Sequence, residues 1–147
     1  MAQDKVVFVL WADRFDETLA ALFVAEFRKA GLRVKLVSLV SHPSPGAYGV
    51  TLLPDLTLEQ ALPQAGHARC VVIPCGVSGL SRLKNDPRVL AFLTQAQQAG
   101  ATFVVNEAGV DDLEGFEWAV SPPEVVVHAD GQEMRALVRH ITLRCFV

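Results

Sequence analysis

Several side chains of this sequence stand where chemistry could be done. The stretch TFVVNEAGV, Thr102 to Val110, carries four residues suited to a buried strand into Asn106-Glu107-Ala108-Gly109, a polar corner of the kind that joins a parallel strand to a helix. Ligands of doubly wound α/β proteins bind beyond the carboxyl ends of the strands, so Glu107 occupies a position suited to chemistry. A glutamate at a helix start can equally be a capping group in a favourable dipole interaction. Cys75 follows the apolar run CVVI in Pro74-Cys75-Gly76. A thiol there could be reactive, but a small buried side chain is the preferred reading, because free cysteine packs as a hydrophobe. His128 ends the run VVVH and could reach a pocket edge, although a solvated strand-end histidine is preferred. Arg14 sits between Asp13 and Asp16. It could bind an anionic ligand; the preferred structural reading makes Asp13 or Asp16 a helix cap and Arg14 its exposed neighbour.

The elements that must position these residues follow from hydrophobic patterning. Lys5 to Leu10 (KVVFVL) is a continuous apolar run, the pattern of a strand buried on both faces of a parallel sheet. Phe15, Leu19, Leu22, Phe23, Phe27 and Ala30 then recur at helical spacing, with Arg28 and Lys29 at the negative end and Gly31 as the stop. Arg33 to Leu39 (RVKLVSL) is the next strand, completing a βαβ unit with a right-handed crossover. HPSPGAYG, His42 to Gly49, is turn-rich, and Val50 to Leu53 reads as a short strand ended by Pro54. Thr57 to Ala61 can form a brief helix, and Cys70 to Ile73 is another buried strand.

Asp86 and Pro87 make a helix start, with Val89, Leu90, Leu93 and Ala96 inward and Gly100 as the end. Thr102 to Val105, a last strand Glu124 to Val127, and a last helix Gln132 to Cys145 complete the order. Alternating strands and helices imply a three-layer α/β/α sandwich around a mostly parallel sheet, in one domain spanning 1–147.

Composition narrows the function classes. The 147 residues suit one domain with a sizeable core. Hydrophobic residues make up 51% and charged residues 20%, a balance richer in apolar side chains than a small monomer needs, and part of the excess is expected to cover a subunit interface. Net charge is −3 with no basic cluster, which argues against nucleic acid. The apolar run near the start is far shorter than the ~20 residues a spanning helix requires and lacks the layout of a cleavable signal, so no membrane is expected. Cys70, Cys75 and Cys145 are odd in number and fit no zinc spacing, which suggests reduced thiols in a cytoplasmic protein.

Taken in order, four segments carry a resemblance. Residues 5 to 31 give a strand, a polar corner with Glu17 near the helix start, and a helix ending in R-K-A-G; GVTLLPDLTLEQA runs from Gly49 to Ala61; VVIPCGVSGL runs from Val71 to Leu80; VVNEAG runs from Val104 to Gly109. This chain resembles the ThiJ/PfpI superfamily, the glutamine-amidotransferase-like group that includes protein deglycases, glyoxalases, chaperones and intracellular peptidases. The resemblance implies a flavodoxin-like fold and a tendency to dimerise. It places Glu107 at the strained elbow that holds the family's nucleophilic cysteine, with Gly76 and Ala108 supplying backbone N–H groups for an oxyanion or anion. Glu17 matches the acid that hydrogen-bonds that cysteine. Only 38 residues follow Gly109, so the segment that supplies a lining histidine in the family is expected to be missing.

This alignment sets Glu17 and Glu107 face to face, where two like charges should share a proton and raise one pKa. Glu107 then resembles an oxidised elbow cysteine in charge and in its forked oxygens, and it cannot attack a carbonyl. Cysteine-dependent hydrolysis, deglycation or glyoxalase activity through position 107 should be absent. Glu17, Glu107 and His128 could in principle hold a divalent metal, but they form no local ligand signature, and neither metal nor cofactor is expected. The expected function is a non-enzymatic homodimer that binds a small molecule or a protein partner. The alternative is a hydrolase- or lyase-like enzyme on small carbonyl compounds, with Glu17 and Glu107 as general acid and base.

Overall fold

A computed structural model describes residues 5–12, 14–75, 82–107, 124–129 and 133–146. Strand β1 (Val6–Trp11) is buried along its whole length, as its unbroken apolar run requires. Helix α1 (Glu17–Lys29) follows, with Asp16 as N-cap: its carboxylate accepts the Leu19 N–H at 3.0 Å. Arg28 and Lys29 lie in the last turn of α1, and Gly31 turns the chain with φ 85°. Strand β2 (Val34–Ser38) lies parallel to β1.

The next strand departs from the sequence reading. Val50 to Leu53 forms no strand of the sheet; Thr51 makes only an isolated antiparallel bridge to Pro45. The edge strand is β3 (Leu56–Thr57), beyond Pro54, and it pairs with β2. Asp55 sets this register, because its N–H donates to Leu36 O at 2.8 Å and its carboxylate accepts the Leu36 N–H at 2.9 Å. Helix α2 (Leu58–Ala61) starts with a reciprocal capping box between Thr57 and Gln60, then runs into a 3-10 turn, Leu62–His67.

Strand β4 (Ala68–Ile73) pairs with β1 on the side away from β2. Helix α3 (Pro87–Gln98) has Asp86 as N-cap and proline at its first turn, as the sequence implies. Strands β5 (Thr102–Asn106) and β6 (Glu124–His128) and helix α4 (Met134–Phe146) complete the described elements. Every pairing in the six-stranded sheet is parallel, in the order β3-β2-β1-β4-β5-β6. Helices α1 and α4 pack together, while α3 packs on α2 and the 3-10 turn. The result is the expected flavodoxin-like sandwich. Its order reverses between β1 and β4, the switch point at which such sheets open a crevice.

The core fills both sides of the sheet. Phe8 meets Phe92 of α3 edge to face at 5.3 Å, and Phe23 stacks on Phe27 within α1. Trp11 stacks on Phe15 at 4.4 Å, so this tryptophan is a packing group.

Candidate functional site

Two corners beyond the carboxyl ends of the strands carry the acids singled out in the sequence. At the first, β1 leaves the sheet through Ala12 and Arg14. Arg14 is exposed and has φ 57°, the left-handed region that costs a non-glycine residue roughly 1–2 kcal/mol. Phe15 is fully buried, and the Asp16 N–H donates to Pro74 O at 2.7 Å, which ties the start of α1 to the end of β4. Asp16 is thus the cap, with Arg14 its exposed neighbour.

Glu17, the first helical residue, is only 3% exposed. Its carboxylate accepts backbone donors: the Tyr48 N–H lies 3.0 Å from both oxygens, and the Val50 N–H lies 2.8 Å from Oε2. Burial works against the charge, but N–H groups of Glu17 itself, Tyr48 and Val50 outweigh it and hold the carboxyl below its ordinary value of 4.5. Gly46 lies against the same group. A Cβ there would sit 2.6 Å from the Glu17 carboxyl carbon.

At the second corner, Asn106 is buried at the end of β5, paired in register with His128 of β6, and Glu107 emerges exposed. Among the described residues there is no hydrogen bond between Glu17 and Glu107. The partners that Glu17 does show are the Tyr48 and Val50 N–H groups. A general acid working near neutrality would need a pKa shift opposite to the lowering at Glu17. Gly76 and Ala108 lie outside the described residues.

His128 departs from the solvated strand end preferred in the sequence reading. It is 1% exposed and meets Phe23 of α1 edge to face at 5.6 Å. The alternation of β6 explains this: Val126 and His128 turn inward while Glu124 and Val127 are exposed. Among the described residues no three His, Cys, Asp or Glu side chains gather into a metal-holding group.

Cys75 is 2% exposed. Burial, partly offset by a hydrogen bond involving the Ala12 backbone, pushes its thiol up to about 12. Cys70 and Cys145 are buried too, and burial together with the nearby Cys145 thiol drives Cys70 well above the ordinary thiol range. For Cys75 and Cys70, burial disfavours the thiolate that a nucleophile needs.

A surface cleft lies beside the end of β2 and the start of α3. One hollow of about 440 Å³ lies between Leu39 and Val40, just past β2, and Arg82, Asn85 and the start of α3. A second of about 380 Å³ adjoins it through Leu39, Val40 and Arg88 and reaches His42, Thr57 and Glu59. Arg88 binds its own helix cap, Asp86, at 2.8 Å and approaches Glu59 of α2 at 3.8 Å. Its hydrogen bond, more than its charge alone, holds Asp86 below the usual carboxylate range. The D-P-R start of α3 is visible in the sequence; its link to Glu59 is not.

Comparison with known proteins decides the family. The model of the DJ-1/PfpI family matches residues 4–107. The chain belongs to the DJ-1/PfpI family. Among solved structures it is similar to Drosophila melanogaster DJ-1beta, with 16% identity over 97% of this chain and 90% of that one and a TM-score of 0.80. It is also similar to oxidized Toxoplasma gondii DJ-1, with 17% identity, 95% and 90% coverage and a TM-score of 0.75. Schizosaccharomyces pombe DJ-1 gives 12% identity, 94% and 90% coverage and a TM-score of 0.74. At these identities the structural likeness establishes the fold. Among curated proteins there is no sequence match.

Proposed function

We propose that this DJ-1/PfpI domain has exchanged nucleophilic catalysis for binding, and acts as a cytoplasmic homodimer that holds a small molecule or a protein partner. One observation carries the reading: all three cysteines of the chain are buried, and the corner after β5, where the resemblance puts the family's nucleophile, carries the exposed Glu107. A carboxylate there keeps a negative charge at the corner and cannot act as a thiolate. The lowered pKa of Glu17 weighs against the acid/base alternative. Leu22 on α1, together with Tyr48, Val50 and Leu53 after β2, exposes apolar surface that a second subunit would cover.

The test is a pair of assays on the full chain. Wild type is expected to leave methylglyoxal and glycated thiols unchanged, whereas Glu107→Cys should gain measurable turnover, because the family's elbow thiol is then restored. Turnover by wild type that disappears in Glu17→Gln would overturn the proposal. Sedimentation of a monomer at micromolar concentration would remove its dimeric half.

A further inference from the structure

Glu17 has a geometry that a catalytic reading does not use. We propose that the Gly46–Val50 loop is a carboxylate-binding site and that Glu17 is its built-in ligand. The loop closes on itself through contacts that do not involve the acid: Pro45 bridges Thr51, the Gly46 N–H donates to Val50 O at 2.9 Å, and the Gly49 N–H donates to Gly46 O at 3.1 Å. Gly49 makes the turn with φ 85°, a conformation open to glycine. The Ala47 N–H donates to Phe15 O at 2.8 Å, which seats the loop over the start of α1.

What remains are two N–H groups, of Tyr48 and Val50, converging on one carboxylate. The missing side chain at Gly46 leaves space for that carboxylate, since an added Cβ would lie 2.6–2.7 Å from its carbon and both oxygens. Converging amides around a concave backbone recognise an anion without a cationic side chain. The ligand class is therefore a small monocarboxylate, here supplied by the chain itself.

Amide hydrogen exchange on the full chain tests this. In wild type the Tyr48 and Val50 amides should be protected. Glu17→Ala should speed their exchange about tenfold or more while β1 amides stay protected, and millimolar formate, but not chloride at equal ionic strength, should restore protection. Unchanged exchange in Glu17→Ala would overturn the proposal, as would a loss that formate does not repair. Should Glu17→Ala fail to fold, Gly46→Ala decides: it keeps the acid but puts a methyl in its place, so the same two amides should lose protection. Their continued protection in Gly46→Ala would equally overturn it.

Discussion

The corner after β1 and the corner after β5 each present a glutamate beyond the carboxyl end of a strand, yet the two acids live in different surroundings. Glu17 is buried and accepts N–H donors from the loop that follows β2 in the chain. Glu107 stands exposed, directly after the buried Asn106. An identical side chain is thus a structural anion at one corner and an accessible charge at the other. Neither residue type nor position at a strand end assigns the role; the donors brought to the carboxylate do.

Three perturbations should sharpen or break this contrast, and the largest acts on what lies beneath both corners. Phe23 is fully buried, stacks on Phe27 in the helix that carries Glu17, and meets His128, the register partner of Asn106. Phe23→Ala is expected to lower unfolding stability by about 3–5 kcal/mol, read from urea denaturation. A loss below about 1 kcal/mol would mean that the two corners do not rest on a common packed floor.

The second perturbation is pH. The folded pKa of Glu17 is lowered, so on acidification the unfolded chain takes up the proton first. The stabilisation from this group is fully present above the ordinary value of 4.5 and is lost as pH falls through the folded pKa. Asp86, lowered first by its hydrogen bond to Arg88, and Glu133, lowered by the Arg135 and Ala136 N–H groups, act in the same direction. Glu17→Gln should therefore destabilise the protein at neutral pH and flatten the acid side of its stability profile. An acid limb as steep as that of wild type would show that Glu17 does not carry the buried charge.

Much of the fold was legible because parallel strands buried on both faces read as unbroken apolar runs, and because Asp86-Pro87 and Gly100 bracket α3. The edge strand was not. Val50 to Leu53 has a strand-like composition, but Val50 gives its N–H to Glu17, and Asp55 starts the β2 pairing only after Pro54. The burial of His128 is not legible, because a strand end reads as solvated until the helix packed against it is known. The partners of Glu17 lie 31 and 33 residues away, and no local spacing announces them. Gly46 offered the one available hint, a glycine in a turn-rich stretch, without saying what filled the space beside it. For the thiols, the packing reading of Cys75 agrees with its burial, and burial predicts slow labelling by a thiol reagent at pH 7 until the chain is unfolded. Fast labelling of the native protein would place a reactive sulfur at a corner after all.

The smallest effect is expected at the second corner. Glu107 makes no hydrogen bond or ion pair among the described residues, and its side chain is exposed, so Glu107→Gln removes charge but little packing. Unfolding stability should change by no more than about 0.5 kcal/mol, a surface-like value. This separates the two readings of the residue. A helix-capping glutamate stabilises through the dipole, and its loss would register in denaturation at low salt and fade as salt is added. A glutamate kept for the charge it shows to a ligand or partner would leave stability untouched and alter only binding. A salt-dependent loss near 1 kcal/mol would move Glu107 into the same structural class as Glu17 and erase the contrast between the corners.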